Sequence, residues 1–258
     1  MGIEIFKKHL REKRAIKISA GNNNYDTDSV AKICNAAQIA KASAVEICAN
    51  KEVYDVARKN TKLPLFVSSV HPFEILKAVE LGVDGIQIGP YYDVYKTGSK
   101  YLLDEIYDIV LETFGLINDY DVYKSVTIPA SLSFDDQCKF IKKLEILGVD
   151  LILSEGYKKS QSNPNVMVES AEFSIKNLSE LRNNTVLPIM ATSAINKGSL
   201  KLAFDNGADA VNIDSLVSKL DTEIALKTAI MEFVGSISYR NSLNKEIIKT
   251  AWEMSLLK

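Results

Sequence analysis

One local pattern recurs along the chain and limits its fold more than any other feature. The segments AVELGVDGIQIG, KLEILGVDLILSEG and AFDNGADAVNID share one order: a helical stretch, a glycine, Val or Ala, an aspartate, then a short apolar strand. A glycine suits the left-handed residue that ends a helix, and the residues after it turn tightly into the next strand. The segment AAQIAKASAVEICAN is a degenerate copy, in which Ala42–Ser43 stands for the glycine turn. Such copies in series specify βα units and a parallel sheet.

Strand candidates fall between the helical stretches at Ala15–Ser19, Ala44–Ala49, Leu65–Val70, Gly85–Gly89, Lys124–Pro129, Leu151–Glu155, Pro188–Thr192 and Ala210–Asp214. Each is short and aliphatic or β-branched, as buried parallel strands are. Helical periods of 3.6 are clear at Ser29–Lys41 (Val30, Ile33, Cys34, Ala37) and at Phe134–Leu147 (Phe140, Leu144, Leu147). Eight serial units close into a barrel or form a doubly wound sheet. No GxGxxG follows the first strand, and SAGNNNYD is a poor dinucleotide turn, so the expectation is an α/β chain with a (β/α)8 TIM-barrel fold. The 258 residues suit one such domain, which needs about 250. Residues 1–13 read as a helix plugging the barrel bottom, 14–237 as the barrel, and 238–258 as an extension, its polar-then-helical part at 239–258 carrying Trp252. The polar loop from Tyr157 to Pro164 reads as a lid over the catalytic face.

Charge excludes several function classes. The formal net charge is −2, with no basic excess to neutralise a phosphate backbone, so nucleic acid is not an expected partner. No run of about 18 apolar residues is present, so no membrane span is expected. Met1–Arg14 is charged and amphipathic, without the apolar core of a secretory signal. Cys34, Cys48 and Cys138 form no CxxC pair and read as reduced, mostly buried thiols. No HxH or HExxH occurs, so no dedicated metal site is expected, and no GxSxG marks a serine nucleophile.

In a barrel the inward residues nearest the C-terminal strand ends meet the ligand. Polar residues interrupt the apolar strands at Lys17, Glu46, Ser68, Gln87, Thr127 and Glu155. A charge inside a buried strand is costly unless paired, so Lys17 and Glu46 on adjacent strands are expected to face each other. That pair is either a structural ion pair or a lysine tuned as base or electrostatic anchor and oriented by Glu46. A Schiff base is disfavoured, because the carboxylate would hold the lysine protonated. Glu155 is the expected second acid–base group. Ser68, Ser69, His71, Gln87, Thr127, Thr192, Ser193 and Ser215 are the expected substrate-binding groups, His71 standing at the catalytic face before Pro72. The other histidine, His9, reads as a solvated surface residue. Asp221 reads as the cap of the last long helix, after a short extra helix of the kind that binds phosphate in many barrels.

The ordered run AIKISAGNNNYD, VEICAN, LPLFVSSVHP, GIQIG, SVTIPASLSFDDQ, LGVDLILSEG and GADAVNIDSLVSKLD resembles an uncharacterised family of phototrophs, the hypothetical chloroplast reading frame numbered twenty-three, over residues 13–237. The resemblance implies an aldolase-type barrel, working in the plastid stroma if plastid-encoded or in the cytoplasm if cyanobacterial. It carries recurring polar positions to Lys17, Ser19, Gly21, Glu46, Ser68, Ser69, Gly89, Thr127, Glu155 and Gly156. Three departures stand out. Ala130 replaces a histidine, Gln87 replaces an acidic residue, and Asn212 and Asp214 replace glycines that would let a phosphate approach the backbone.

Three readings stay open at this point. One is an enzyme on a small phosphorylated or carboxylated metabolite, of lyase or isomerase type, with Lys17, Glu46 and Glu155 catalytic. Another is an FMN-dependent barrel. The third is a non-catalytic regulatory or assembly protein. A small-molecule ligand is the expected partner, and homo-oligomerisation is open.

Overall fold

A computed structural model describes residues 2–91, 102–156, 166–214 and 217–255. Helix α1 (Gly2–Arg11) leads into strands β1 (Ala15–Ser19), β2 (Ala44–Ile47), β3 (Leu65–Ser69), β4 (Gly85–Ile88), β5 (Tyr123–Ile128), β6 (Leu151–Ser154), β7 (Ile189–Ala191) and β8 (Ala210–Ile213). Helices α2 (Thr27–Ile39), α3 (Lys51–Asn60), α4 (Pro72–Glu80), α5 (Leu103–Leu116), α6 (Phe134–Leu147), α7 (Val166–Arg182) and α8 (Lys197–Asp205) alternate with them, and α9 (Glu223–Ser255) follows β8. The strands form a closed parallel barrel in chain order, β1 pairing with β8. The TIM-barrel expectation holds.

The recurring motif has a clear physical basis. Its glycines Gly82, Gly148 and Gly207 all take positive φ, the left-handed exit from a helix. Its aspartates do the rest. Asp84 Oδ2 accepts from Leu65 N, Asp150 Oδ2 from Lys124 N and Asp209 Oδ2 from Ile189 N, each at 2.8–2.9 Å. Each carboxylate thus ties the start of one strand to the turn leading into the next. In the degenerate copy Ser43 Oγ takes this role, accepting from Ile16 N at 2.9 Å. The left-handed residue there is Lys41 at φ 59, not the Ala42–Ser43 pair expected from sequence.

Outward strand residues such as Ile16, Val45, Ile86 and Val126 pack under the helices. The lower barrel interior is a separate apolar cluster that includes Phe6, Ala15, Ala44, Phe66, Tyr123, Leu153 and Met190. Phe6 comes from α1, its ring centroid 5.1 Å from Phe66 and 5.7 Å from Tyr123. Helix α1 therefore closes the N-terminal end of the barrel.

Three expectations change. His9 is half-buried rather than solvated, its Nδ1 2.8 Å from Ser43 Oγ. The last helix shows no break at 239 but runs unbroken from Glu223 to Ser255, no proline interrupting it. Its cap is Thr222, whose Oγ1 accepts from Ala225 N at 3.2 Å, which leaves Asp221 outside the capping role. Cys34 and Cys48 are buried and Cys138 is half-buried. Burial pushes the Cys34 thiol up to about 12 and Cys48 to about 11, so neither supplies a thiolate at neutral pH. No helix among the described residues is long and apolar enough to cross a membrane. The expected lid, residues 157–164, lies outside the described residues, as do Ser215 and the Trp252 side chain.

Candidate functional site

The strand alternation sends a belt of polar side chains inward above the aromatic plug. Four successive strands carry Asn212 (β8), Lys17 (β1), Glu46 (β2) and Ser68 (β3), followed by Gln87 (β4) and Thr127 (β5). All six are buried. Lys17 Nζ forms an ion pair with Glu46 Oε2 and donates to Gln87 Oε1 at 2.5 Å. Glu46 Oε1 accepts from Ser19 Oγ at 3.2 Å, and Gln87 Nε2 donates to Thr127 Oγ1 at 3.4 Å. Beneath the ammonium lies the Phe66 ring, 5.5 Å away, a favourable cation–π arrangement. The pairing expected of Lys17 and Glu46 is therefore present inside the barrel.

The belt is not fully satisfied. Ser68 Oγ and Asn212 Oδ1 are buried and have no hydrogen-bond partner. They stand on the strands flanking the β1–β2 ion pair, Asn212 in register with Lys17 and Ser68 in register with Gln87. A buried polar atom without a partner costs about 1–3 kcal/mol until water or a ligand supplies one.

A cavity of about 890 Å³ opens at the C-terminal mouth, within the size range of small-molecule sites. It lies over β1, β3, β4 and the segment after β8. Ser68, Ser69 and His71 of the expected site line it. Ser69 Oγ donates to Glu74 Oε2 at 2.5 Å and accepts from His71 N at 3.0 Å. His71 begins α4 without spending its side chain on a cap.

The other expected residues lie elsewhere. Lys17, Glu46, Gln87 and Thr127 are not in the described cavity wall, the ion pair being carried on the inward belt. Glu155, expected to open onto the same cavity as Ser68–Ser69, is fully buried and absent from that wall. Its carboxylate accepts from Tyr91 N at 3.3 Å and Ala130 N at 3.5 Å, holding together the segments after β4 and β5. Thr192 and Ser193 are buried beyond β7, where Ser193 Oγ accepts from Gly156 N at 2.9 Å.

Sequence reasoning missed Asn22, Asn23, Asp26, Lys32, Glu74 and Asp221, all on the cavity wall. The available signal was the polar Asn22–Asp26 run directly after β1, because every loop following a barrel strand faces the mouth. Among the described residues no group of three or more His, Cys, Asp or Glu side chains is placed to hold a metal ion.

Residues 3–243 match the family described as protein of unknown function (DUF561). Two relatives bear the name uncharacterized protein ycf23. The one from Cyanophora paradoxa is 30% identical over 237 residues, 91% of this chain and 97% of the relative. The one from Cyanidium caldarium is 30% identical over 238 residues, 90% of this chain and 95% of the relative. Among solved structures, the GGGPS of Thermoplasma volcanium aligns with a TM-score of 0.62 at 12% identity, covering 90% of this chain and 97% of that one. A 3-hexulose-6-phosphate synthase aligns at 0.59 and 10% identity, covering 86% and 99%. At these identities the likeness shows the barrel fold.

Proposed function

The chain belongs to the DUF561 family of proteins of unknown function, and on that footing we propose that its barrel mouth is the active site of an enzyme performing acid–base chemistry, of lyase or isomerase type, on a small metabolite. The observation that carries this reading is the incomplete belt. A polar network serving packing alone satisfies all its members. Here Ser68 Oγ and Asn212 Oδ1 lack partners on either side of the Lys17–Glu46 ion pair, below a cavity of ligand size. Ser68, Ser69 and His71 bind the ligand from the wall, and Lys17 with Glu46 supplies the charge and the transferable proton beneath it. Solved barrels of similar fold support an enzymatic role by their names, which include synthases and an orotidine 5'-phosphate decarboxylase. The relatives from Cyanophora paradoxa and Cyanidium caldarium support a plastid origin, and the stroma is the place of work that goes with this reading.

The test separates chemistry from packing. Lys17→Met alone leaves the Glu46 carboxylate buried without its cation, which costs about 3–5 kcal/mol, whereas replacing both members of such a pair with apolar residues is often neutral. The double variant Lys17→Met/Glu46→Leu is therefore expected to melt near the wild type. A panel of small metabolites is screened by thermal shift on both proteins, since a ligand that binds the folded state raises the melting temperature. The expected outcome is a metabolite that stabilises the wild type and not the double variant. A double variant that keeps the full ligand shift would assign the pair to packing.

A further inference from the structure

Among the described residues around the mouth cavity, carboxylates outnumber lysine and arginine. Asp26, Glu74 and Asp221 line it, with Lys32 as the fixed cation. The fold itself places these carboxylates. Asp26 caps α2 by accepting from the Asp28 and Ser29 amides, Glu74 accepts the Ser69 hydroxyl, and Asp221 precedes the Thr222 cap of α9. An anionic ligand set among them meets like charge, and because Asp26, Glu74 and Asp221 are exposed at the rim this repulsion is strongest at low salt. Side-chain amides of Asn22 and Asn23 fill much of the remaining wall, and these pair with hydroxyls through both donor and acceptor.

The belt below adds an independent observation. Asn212 Oδ1 can only accept, and it has no donor, while Ser68 Oγ has neither donor nor acceptor. Both residues are more than nine-tenths buried, at 5% and 4% exposure. Asn212 stands on β8 below the cavity and not in its described wall, and its Oδ1 needs an O–H or N–H, which water or a hydroxyl supplies and a fully ionised phosphate or carboxylate lacks.

We infer that the cavity takes a small hydroxyl-rich compound of the sugar or polyol class that carries no phosphate or carboxylate, one hydroxyl pairing with Ser68 Oγ on the wall and a bridging water carrying the bond on to Asn212 Oδ1 below. This rests on the mouth being the active site, and it replaces the anionic substrate expected from sequence with an uncharged one. The carboxylates Asp26, Glu74 and Asp221 then act as acceptors for further ligand hydroxyls, as in sites that bind polyols through paired oxygens.

The experiment uses matched probes: ribose against ribose 5-phosphate, glucose against glucose 6-phosphate, and myo-inositol against its monophosphate, each titrated against the full chain by thermal shift. At least one free compound is expected to raise the melting temperature more than its phosphate ester. Ser68→Ala and Asn212→Ala are expected to abolish that shift. Ser68→Ala removes an unpartnered hydroxyl and keeps the unliganded melting temperature, so it carries the test alone if Asn212→Ala fails to fold. Glu74→Gln/Asp221→Asn is expected to narrow the preference for the free compound. A phosphate ester that stabilises more than its parent and loses its effect in Ser68→Ala overturns the uncharged class while leaving the active-site reading in place. No shift from any free compound, or a shift that survives both belt variants, overturns the inference outright.

Discussion

Two residues show how burial, rather than identity, sets a side chain's behaviour. His9 Nδ1 sits 2.8 Å from Ser43 Oγ, and that same oxygen accepts the Ile16 amide at 2.9 Å. The serine hydroxyl keeps its proton available for Nδ1 of a neutral ring. Burial, helped by the nearby Arg14 charge, lowers the His9 pKa from 6.5 to about 4. The sign follows from proton linkage: between those values the unfolded chain binds a proton that the folded chain refuses. This contribution is complete above about pH 6.5 and is lost as the pH falls toward 4. Melting temperatures taken across that window are expected to fall, and His9→Gln is expected to flatten the part of the slope that belongs to this ring. An unchanged slope in the variant would remove His9 as its source. The sequence alone could not place His9, because its partner Ser43 lies 34 residues away in the chain. Lys17 and Glu46 were readable for the opposite reason: a charge in an apolar strand has to find its counter-ion on the next one. Asn212 was legible only as a departure from the family pattern, since an unpaired amide oxygen is a property of three-dimensional surroundings.

The elements were legible to within a residue or two because the repeat encodes both the turn and its anchor. Gly82, Gly148 and Gly207 supply the left-handed exit, and Asp84, Asp150 and Asp209 tie the strand starts. The cavity-lining side chains were less readable because they lie on irregular loops, where no period marks which way a residue points. Asp221 shows this well, since its neighbour Thr222 took the capping role and freed it. A second glycine constraint belongs to β4. A Cβ added at Gly85 would stand 2.3–2.7 Å from three Phe66 ring atoms, so the aromatic plug fits only against a bare backbone. Gly85→Ala is expected to cost about 1–3 kcal/mol by overpacking. In a double-mutant cycle with Phe66→Leu, measured by denaturant unfolding, the two changes should be coupled, the leucine background tolerating the alanine better. Strictly additive costs would mean that the ring is not what excludes the methyl group.

At the scale of the whole molecule, closure depends on segments far apart in sequence. Strand β1 pairs with β8, α9 packs along α2, and Asn241 Nδ2 donates to Glu12 O at 3.1 Å beside the end of α1. No single window of sequence contains this seam, yet serial right-handed βα units leave few alternatives to it. Phe6, Phe66 and Tyr123 fill the lower end of the ring so formed, and the cavity opens at the other.

That asymmetry has a kinetic consequence. With Phe6, Phe66 and Tyr123 stoppering the base, the mouth is, among the described residues, the doorway by which a ligand of the cavity both arrives and leaves. On the proposed enzymatic reading, a product held at this mouth is expected to compete with its substrate for the free protein, raising KM and leaving kcat unchanged. Purely uncompetitive inhibition in initial-rate measurements would mean that substrate and product do not exclude one another at the mouth.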